Sequence, residues 1–235
     1  VTDTDCRVWV EREVLAQPAA DWLAGWRDEP AAFAAAWSTQ GRSAAARLLA
    51  VARPRLAGLC ARPQALGAHG GMPDLQGLAQ SLRSDAGFAL APTWRGRTAE
   101  TGCWTRRADP ALPAETGDLW LRLVSRIADL ARLVQPGGEL QLDQGALSLG
   151  EREGLGWCEM ARGLLLHWVR LRADGRVDDC RLVAPTEWNF HPQGSAAQML
   201  ATLPAEVDQD QVRWVLAAYD PCVTVTIDIA PPCTR

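Results

Sequence analysis

Apolar residues follow two different rhythms along this chain. Between 118 and 134, Leu119, Leu123, Ile127, Leu130 and Val134 recur every three to four residues, with Arg122, Arg126 and Arg132 between them. That spacing predicts an amphipathic helix with its arginines outward, stopped by Pro136-Gly137. Shorter helical patterns precede it. One covers 19–37, carries Trp22, Trp26, Phe33 and Trp37, and breaks at Pro30. Another runs from Arg42 to about Ala52 and is interrupted by Pro54, and a helical turn falls at Leu78–Leu82. Two more helices are expected at Ser195–Leu203 and Asp208–Ala218.

The second rhythm is extended. Leu164–Leu171 and Val177–Val183 flank Asp174-Gly175, a dipeptide suited to a two-residue type I′ hairpin turn. Such a loop sets Val169 opposite Cys180, His167 opposite Leu182 and Arg170 opposite Asp179. The first two pairs share a mostly apolar face, which makes Cys180 a packing residue; the third is charge-complementary on the other face. The hairpin also brings the approach through Arg162-Gly163 and the exit through Pro185–Asn189 to one end. Alternation around Val8 and Val10 predicts a strand within 1–15, and the β-branched run Cys222–Ile229 predicts another. Residues 61–74 are expected to be loop or short helix, 87–107 irregular, and 139–149 a short strand pair or loop. The expected fold is α+β, mainly helical, in a single domain over 1–235. Its helical part covers about 1–135 and its α+β part about 136–235.

Composition removes several function classes. With 235 residues, 48% hydrophobic, the chain is long enough for a sizeable core. A net charge of −4 gives no electrostatic case for nucleic acid or an anionic membrane. No apolar run of about 18 residues suggests a membrane span, and no signal peptide is visible. All the positive charge is arginine, which reflects coding bias in an alanine-rich chain. Seven cysteines, at 6, 60, 103, 158, 180, 222 and 233, form no disulfide framework and fit a reducing cytoplasm. His69, His167 and His191 have no metal-binding spacing. Gly154-x-Gly156 lacks the strand and helix of a nucleotide loop. The eleven tryptophans suit core and partner surface, because no basic groove accompanies them.

Several spaced motifs carry a resemblance. Gly154-x-Gly156-x-x-Glu159-x-x-Arg162-Gly163, then His167-Trp168, then Pro185-Thr186-x-Trp188-Asn189 resembles the C-terminal half of [NiFe]-hydrogenase large subunits. Pro92-x-Trp94-x-Gly96 and Glu100-Thr101-Gly102-Cys103-Trp104-x-Arg106 resemble a mid-chain signature of the same proteins, where they support the fold. Arg55-Leu56-Ala57-Gly58-Leu59-Cys60 is similar to the family's first metal motif with Ala57 in place of its first cysteine, and Gln64 stands where a histidine belongs. Asp220-Pro221-Cys222 is similar to the second, with Val225 and Asp228 in place of its last cysteine and histidine. Ala161 replaces a proline before Arg162. The matches run from about residue 53 to 229.

In the resembled enzymes four thiolates hold nickel, and two of them bridge to an iron carrying CO and two cyanides. Two thiolates cannot build that nickel site. An iron that brings three diatomic ligands leaves at most three positions, which two cysteines nearly fill. The pattern resembles the HupK/HoxV group of shortened, degenerate large-subunit relatives that act in hydrogenase maturation. What the resemblance implies is a scaffold without turnover for a transient Fe(CN)2CO fragment, with no nickel. Cys60 and Cys222 would be the iron ligands, with Arg162, Asp220, Pro221 and Glu159 around them. A guanidinium fork suits cyanide nitrogens as acceptors. Implied partners are a HypC-type chaperone, a HypD-type maturation protein and the large-subunit precursor. Bringing Cys60 to Cys222 requires the helix near 42–53 to pack against the C-terminal part. The alternatives are a divergent hydrogenase subunit with its own activity, a metal-free structural relative, and a docking chaperone.

Overall fold

The computed structural model describes residues 3–61, 64–66, 74–106, 117–138, 143–204 and 206–228. Helices and strands are mixed. The helices are α1 (Asp3–Trp9), α2 (Ala19–Asp28), α3 (Pro30–Gln40), α4 (Ala44–Leu56), α5 (Leu75–Ser84), α6 (Cys103–Arg106), α7 (Leu119–Leu133), α8 (Pro185–Asn189), α9 (Ser195–Ala201) and α10 (Gln209–Tyr219). The strands are β1 (Gln64–Ala65), β2 (Ala99–Glu100), β3 (Gln144–Gly150), β4 (Glu153–Met160), β5 (Gly163–Leu171) and β6 (Val177–Val183). The chain divides into two compact units, each threaded from separate segments. One gathers Val1–Arg62, Pro110–Pro136 and Ala196–Arg235; the other gathers Pro63–Asp109 and Gly137–Ser195.

The regular elements of the first unit, among its described residues, are all helices. Its core is built on tryptophan: Trp22 stacks on Trp26 with centroids 5.6 Å apart and meets Trp37 edge-on at 5.5 Å. Trp37 Nε1 donates to the Leu15 carbonyl, and Trp120 Nε1 donates to that of Leu49. Those bonds let two indoles be buried without an orphaned donor. Pro30 does break the 19–37 pattern, sitting at the first position of α3, where a missing N–H costs nothing. Pro54 does not end α4, which runs on to Leu56.

Two expected strands are absent. Residues 3–9 form α1, and Val10–Leu15 form a π-helical turn closed by Ala16 in the left-handed region at φ 54°. The wider turn puts the buried Val10 and Leu15, five residues apart, on the same side. Residues 222–228 are irregular, with Val223 61% exposed, since no described neighbouring strand pairs with them. Helix α7 forms where expected, N-capped by Asp118, but is rotated relative to the expected stripe. Leu121, Val124, Ala128 and Ala131 are buried while Leu123, Ile127 and Leu130 are half-buried, and Arg122 is buried rather than outward.

The second unit carries an antiparallel sheet in the order β3-β4-β5-β6. Its register sets Val169 opposite Cys180, His167 opposite Leu182 and Arg170 opposite Asp179, as the sequence pattern predicts. The turn differs from the expected type I′. Only Gly175 has positive φ (82°), Gly175 N–H donates to the Arg172 carbonyl and Arg172 N–H to that of Arg176, and a bulge follows Arg170. A three-residue loop with a bulge spares Asp174 the left-handed conformation. The faces are also reversed. Leu164, Leu166 and Trp168 pack inward with Leu155, Val183 and Trp188, whereas His167, Cys180 and Leu182 face solvent. Cys180 is therefore not a packing residue. α5, with Leu78 and Leu82, closes the same core.

Candidate functional site

Ala161 and Arg162 form the two-residue turn between β4 and β5, closed by the pair Met160–Gly163. Neighbouring segments fix this turn from both flanks. Gly163 has φ 127°, and a Cβ there would lie 2.5 Å from Thr101 Oγ1, so only glycine fits. Thr101 Oγ1 accepts from Leu164 N–H at 2.9 Å, and the Cys103 thiol donates to the Ala161 carbonyl at 2.9 Å. Asn189, at the end of α8, is buried and grips Thr101 twice: its Oδ1 accepts from Thr101 N–H and its Nδ2 donates to the Thr101 carbonyl, both at 2.9 Å. Beside them the buried Glu100 accepts from Trp104 Nε1 and from the Ser195 hydroxyl. The 100–106 motif, expected only to support the fold, thus braces the turn that presents Arg162. Glu159 is buried in β4, three residues before Arg162. Gly154 and Gly156 have ordinary room for a Cβ, so nothing around them in the strand demands glycine.

Cys60, Cys222, Asp220 and Pro221 all belong to the first unit. Cys60 is exposed, but its backbone is pinned to the start of α7. Leu119 N–H donates to the Leu59 carbonyl at 3.1 Å, Ala61 N–H donates to that of Gly117 at 3.0 Å, and Cys60 pairs with Asp118 between them. Gly117, at φ 46°, meets the Ala61 carbonyl so closely that no Cβ can enter. Asp118 Oδ1 caps α7 by accepting from Trp120 N–H at 2.7 Å and Leu121 N–H at 3.3 Å.

Cys222 is exposed three residues beyond the end of α10. Asp220 terminates that helix at φ 51°, ψ 63°, a left-handed conformation on a non-glycine residue that also precedes a proline. Both constraints disfavour it locally, so tertiary contacts hold it there. Arg126 on α7 supplies two, donating from Nη2 to the Ala218 carbonyl at 2.9 Å and placing Nε 4.0 Å from Asp220 Oδ2. One turn earlier, Arg122 donates to the carbonyls of Gly117 and Ala61, and its guanidinium lies over the Tyr219 ring at 5.4 Å. α4 and α7 both pack against α10, which meets the expected packing of the 42–53 helix on the C-terminal part. A shallow groove of about 480 Å³ runs between α10 and the segment after Pro221. Among the described residues no three or more His, Cys, Asp or Glu side chains cluster to hold a metal ion. Arg122 and Arg126 were legible only as outward charges; their acceptors are mostly backbone carbonyls, which leave no trace in a residue pattern. His69 and Cys233 lie outside the described residues.

Comparison with known proteins adds to this geometry. Residues 118–227 match the model of the nickel-dependent hydrogenase family. Over 94% of its length the chain is 41% identical to the hydrogenase expression/formation protein HoxV of Cupriavidus necator, matching 62% of that protein. It is 37% identical over 63% of its length to the hydrogenase expression/formation protein HupK of Rhizobium leguminosarum bv. viciae, matching 43% of it. An uptake hydrogenase large subunit of the same organism is 28% identical over 35% of the chain. The chain thus spans roughly half the length of the curated formation proteins it matches. No helix among the described residues is long and apolar enough to cross a membrane.

Proposed function

Because the chain is a relative of the HoxV and HupK hydrogenase expression/formation proteins and carries part of a nickel-dependent hydrogenase domain, we propose that it serves in maturation of a [NiFe] hydrogenase. Its task in this reading is to hold the Fe(CN)2CO unit as cargo before delivery to the large-subunit precursor. The observation that carries the reading is the 41% identity to a formation protein over 94% of the chain. The donor set supports it. Cys60 and Cys222 are exposed on one unit, although free cysteine is among the most buried residue types. Cys6 and Cys180 are exposed too, so exposure alone does not select the pair; the motifs around Cys60 and Cys222 do.

A bare cation would find too few ligands here, whereas an iron arriving with three diatomic ligands asks only for two soft donors. In this reading Cys60 and Cys222 would hold the iron through their thiolates, and the resemblance assigns Arg162, Asp220, Pro221 and Glu159 to the surroundings of the cargo. No nickel and no turnover belong to this reading. A HypC-type chaperone and a HypD-type protein are the expected donors, in a cytoplasm that keeps both thiols reduced. A finer likeness of the fold to the large subunit is part of the same proposal.

Infrared spectroscopy tests it on protein purified without oxygen from cells expressing the maturation machinery. Sharp CO and cyanide stretches that disappear in Cys222→Ala are expected. A blank spectrum from protein that still co-purifies with the maturation chaperones would replace the scaffold by a docking role. Nickel content with H2 oxidation would favour the divergent-enzyme alternative.

A further inference from the structure

Arg122 and Arg126 stand one turn apart on α7, so their side chains leave the same face of the helix. Their partners divide between the two cysteine segments. Arg122 is buried and ties down the carbonyls of Ala61 and Gly117, immediately beside Cys60, while its guanidinium covers Tyr219 from the Cys222 side. Arg126 holds the Ala218 carbonyl and faces the Asp220 carboxylate, four and two residues before Cys222. Helix rise puts Asp118, which pairs with Cys60, about 12 Å along the axis from Arg126. Helical side chains lean back toward the N-terminus, which shortens the reach between the two anchors.

A guanidinium suits this work better than an ammonium. Its planar fork donates in several fixed directions at once, so one residue can bond two carbonyls or a carbonyl and a carboxylate. The residues being held need such a hold. Asp220 sits in a strained left-handed conformation before a proline, and 222–228 has no regular hydrogen-bonded structure of its own. Cys60 likewise follows Gly58 at φ 76°, beyond the end of α4.

We infer that Arg122 and Arg126 are positioning residues that set the spacing of the Cys60 and Cys222 segments, with α7 as the rigid bar between them. The use of that spacing for an iron unit rests on the proposed function; the spacing itself does not.

The test uses the full chain and a short thiol-to-thiol crosslinker, dibromobimane, with peptide mapping to identify the Cys60–Cys222 product among the seven cysteines. Wild type is expected to form it. Arg126, 29% exposed, can be replaced with little damage to the core. Arg126→Ala is expected to slow formation roughly tenfold, the effect of losing one charge-assisted hydrogen bond, while the thermal midpoint stays close to wild type. Arg126→Lys, which keeps the charge but not the fork, should fall between them, and it stands in if the alanine variant does not fold. An unchanged crosslinking rate in Arg126→Ala, or no Cys60–Cys222 product in wild type, would overturn the inference. Crosslinking that depends on Arg126 while infrared bands are missing from every form would sink the iron reading and leave the positioning role standing.

Discussion

The Arg162 turn and the two cysteine segments are held in opposite ways. The turn is braced by neutral, largely buried groups: Thr101, Cys103 and Asn189 bond its flanking backbone, and Gly163 leaves no space for movement against Thr101. The cysteine segments are anchored through their neighbours, by backbone bonds of Leu59 and Ala61 to the start of α7 and by guanidinium groups on that helix, and both thiols are exposed. A buried neutral network fixes one geometry, because each group left unbonded costs its full desolvation. Anchoring through neighbours fixes the backbone but leaves the side chain open to reagents and partners. That division gives the Arg162 turn a geometry fixed in advance and leaves the two thiols accessible.

The largest effect should come from the braced turn. Gly163→Ala meets both a φ of 127° and the Thr101 side chain, and should lower stability by about 3 kcal/mol in chemical denaturation. A loss under about 1 kcal/mol would mean the turn is not braced as described. Asn189→Ala strips the Thr101 N–H and carbonyl of their partner, at about 2 kcal/mol. Crosslinking between Cys60 and Cys222 should be unaffected, because the brace and the anchors belong to different units.

A smaller effect depends on pH. The Arg83 guanidinium beside Glu153, at 2.7 Å, and the Trp168 indole hold the Glu153 carboxyl below the usual carboxylate range. A depressed folded pKa contributes stability above the unfolded value of about 4.3 and loses it as pH falls through the folded value. Denaturant midpoints measured from pH 7 to pH 3 should therefore fall in wild type and fall less in Glu153→Gln. Since Arg83 is 39% exposed, the difference should not exceed about 1 kcal/mol. Equal slopes would remove the pair from the account. Smallest of all, Cys60→Ser and Cys222→Ser should each move stability by no more than about 0.5 kcal/mol, as befits exposed side chains. A larger loss would show the thiols packing after all and erase the contrast with the turn.

Periodicity made the regular elements legible. The β5–β6 register and the place of α7 follow from spacing, because a strand or helix face must repeat to be buried at all. The direction each element faces was harder. His167, Leu182 and Cys180 read as a core face, yet the larger Leu164, Leu166 and Trp168 alternate with them and win the interior. α7 turned by one position because buried Arg122 finds backbone carbonyls, which make a charged residue tolerable inside. Of the candidate site, the cysteine-bearing segments and the Arg162 turn were visible as motifs. The contacts that secure them were not, since Thr101, Asn189 and Arg126 act on backbone 63, 88 and 92 residues away in the chain.

The threading of the first unit also sets a clock. Its segments near Cys60 and α7 are synthesised before 137–195, and the α10 segment that carries Cys222 comes after them. At about 5–20 residues per second, the ribosome takes roughly ten to thirty seconds to travel from one cysteine to the other. During that interval a nascent chain offers Cys60 and the finished Arg162 turn without Cys222. The two thiols can therefore come together only after the α10 segment has been made, and a partner that needs both would pass over a nascent chain that still lacks it.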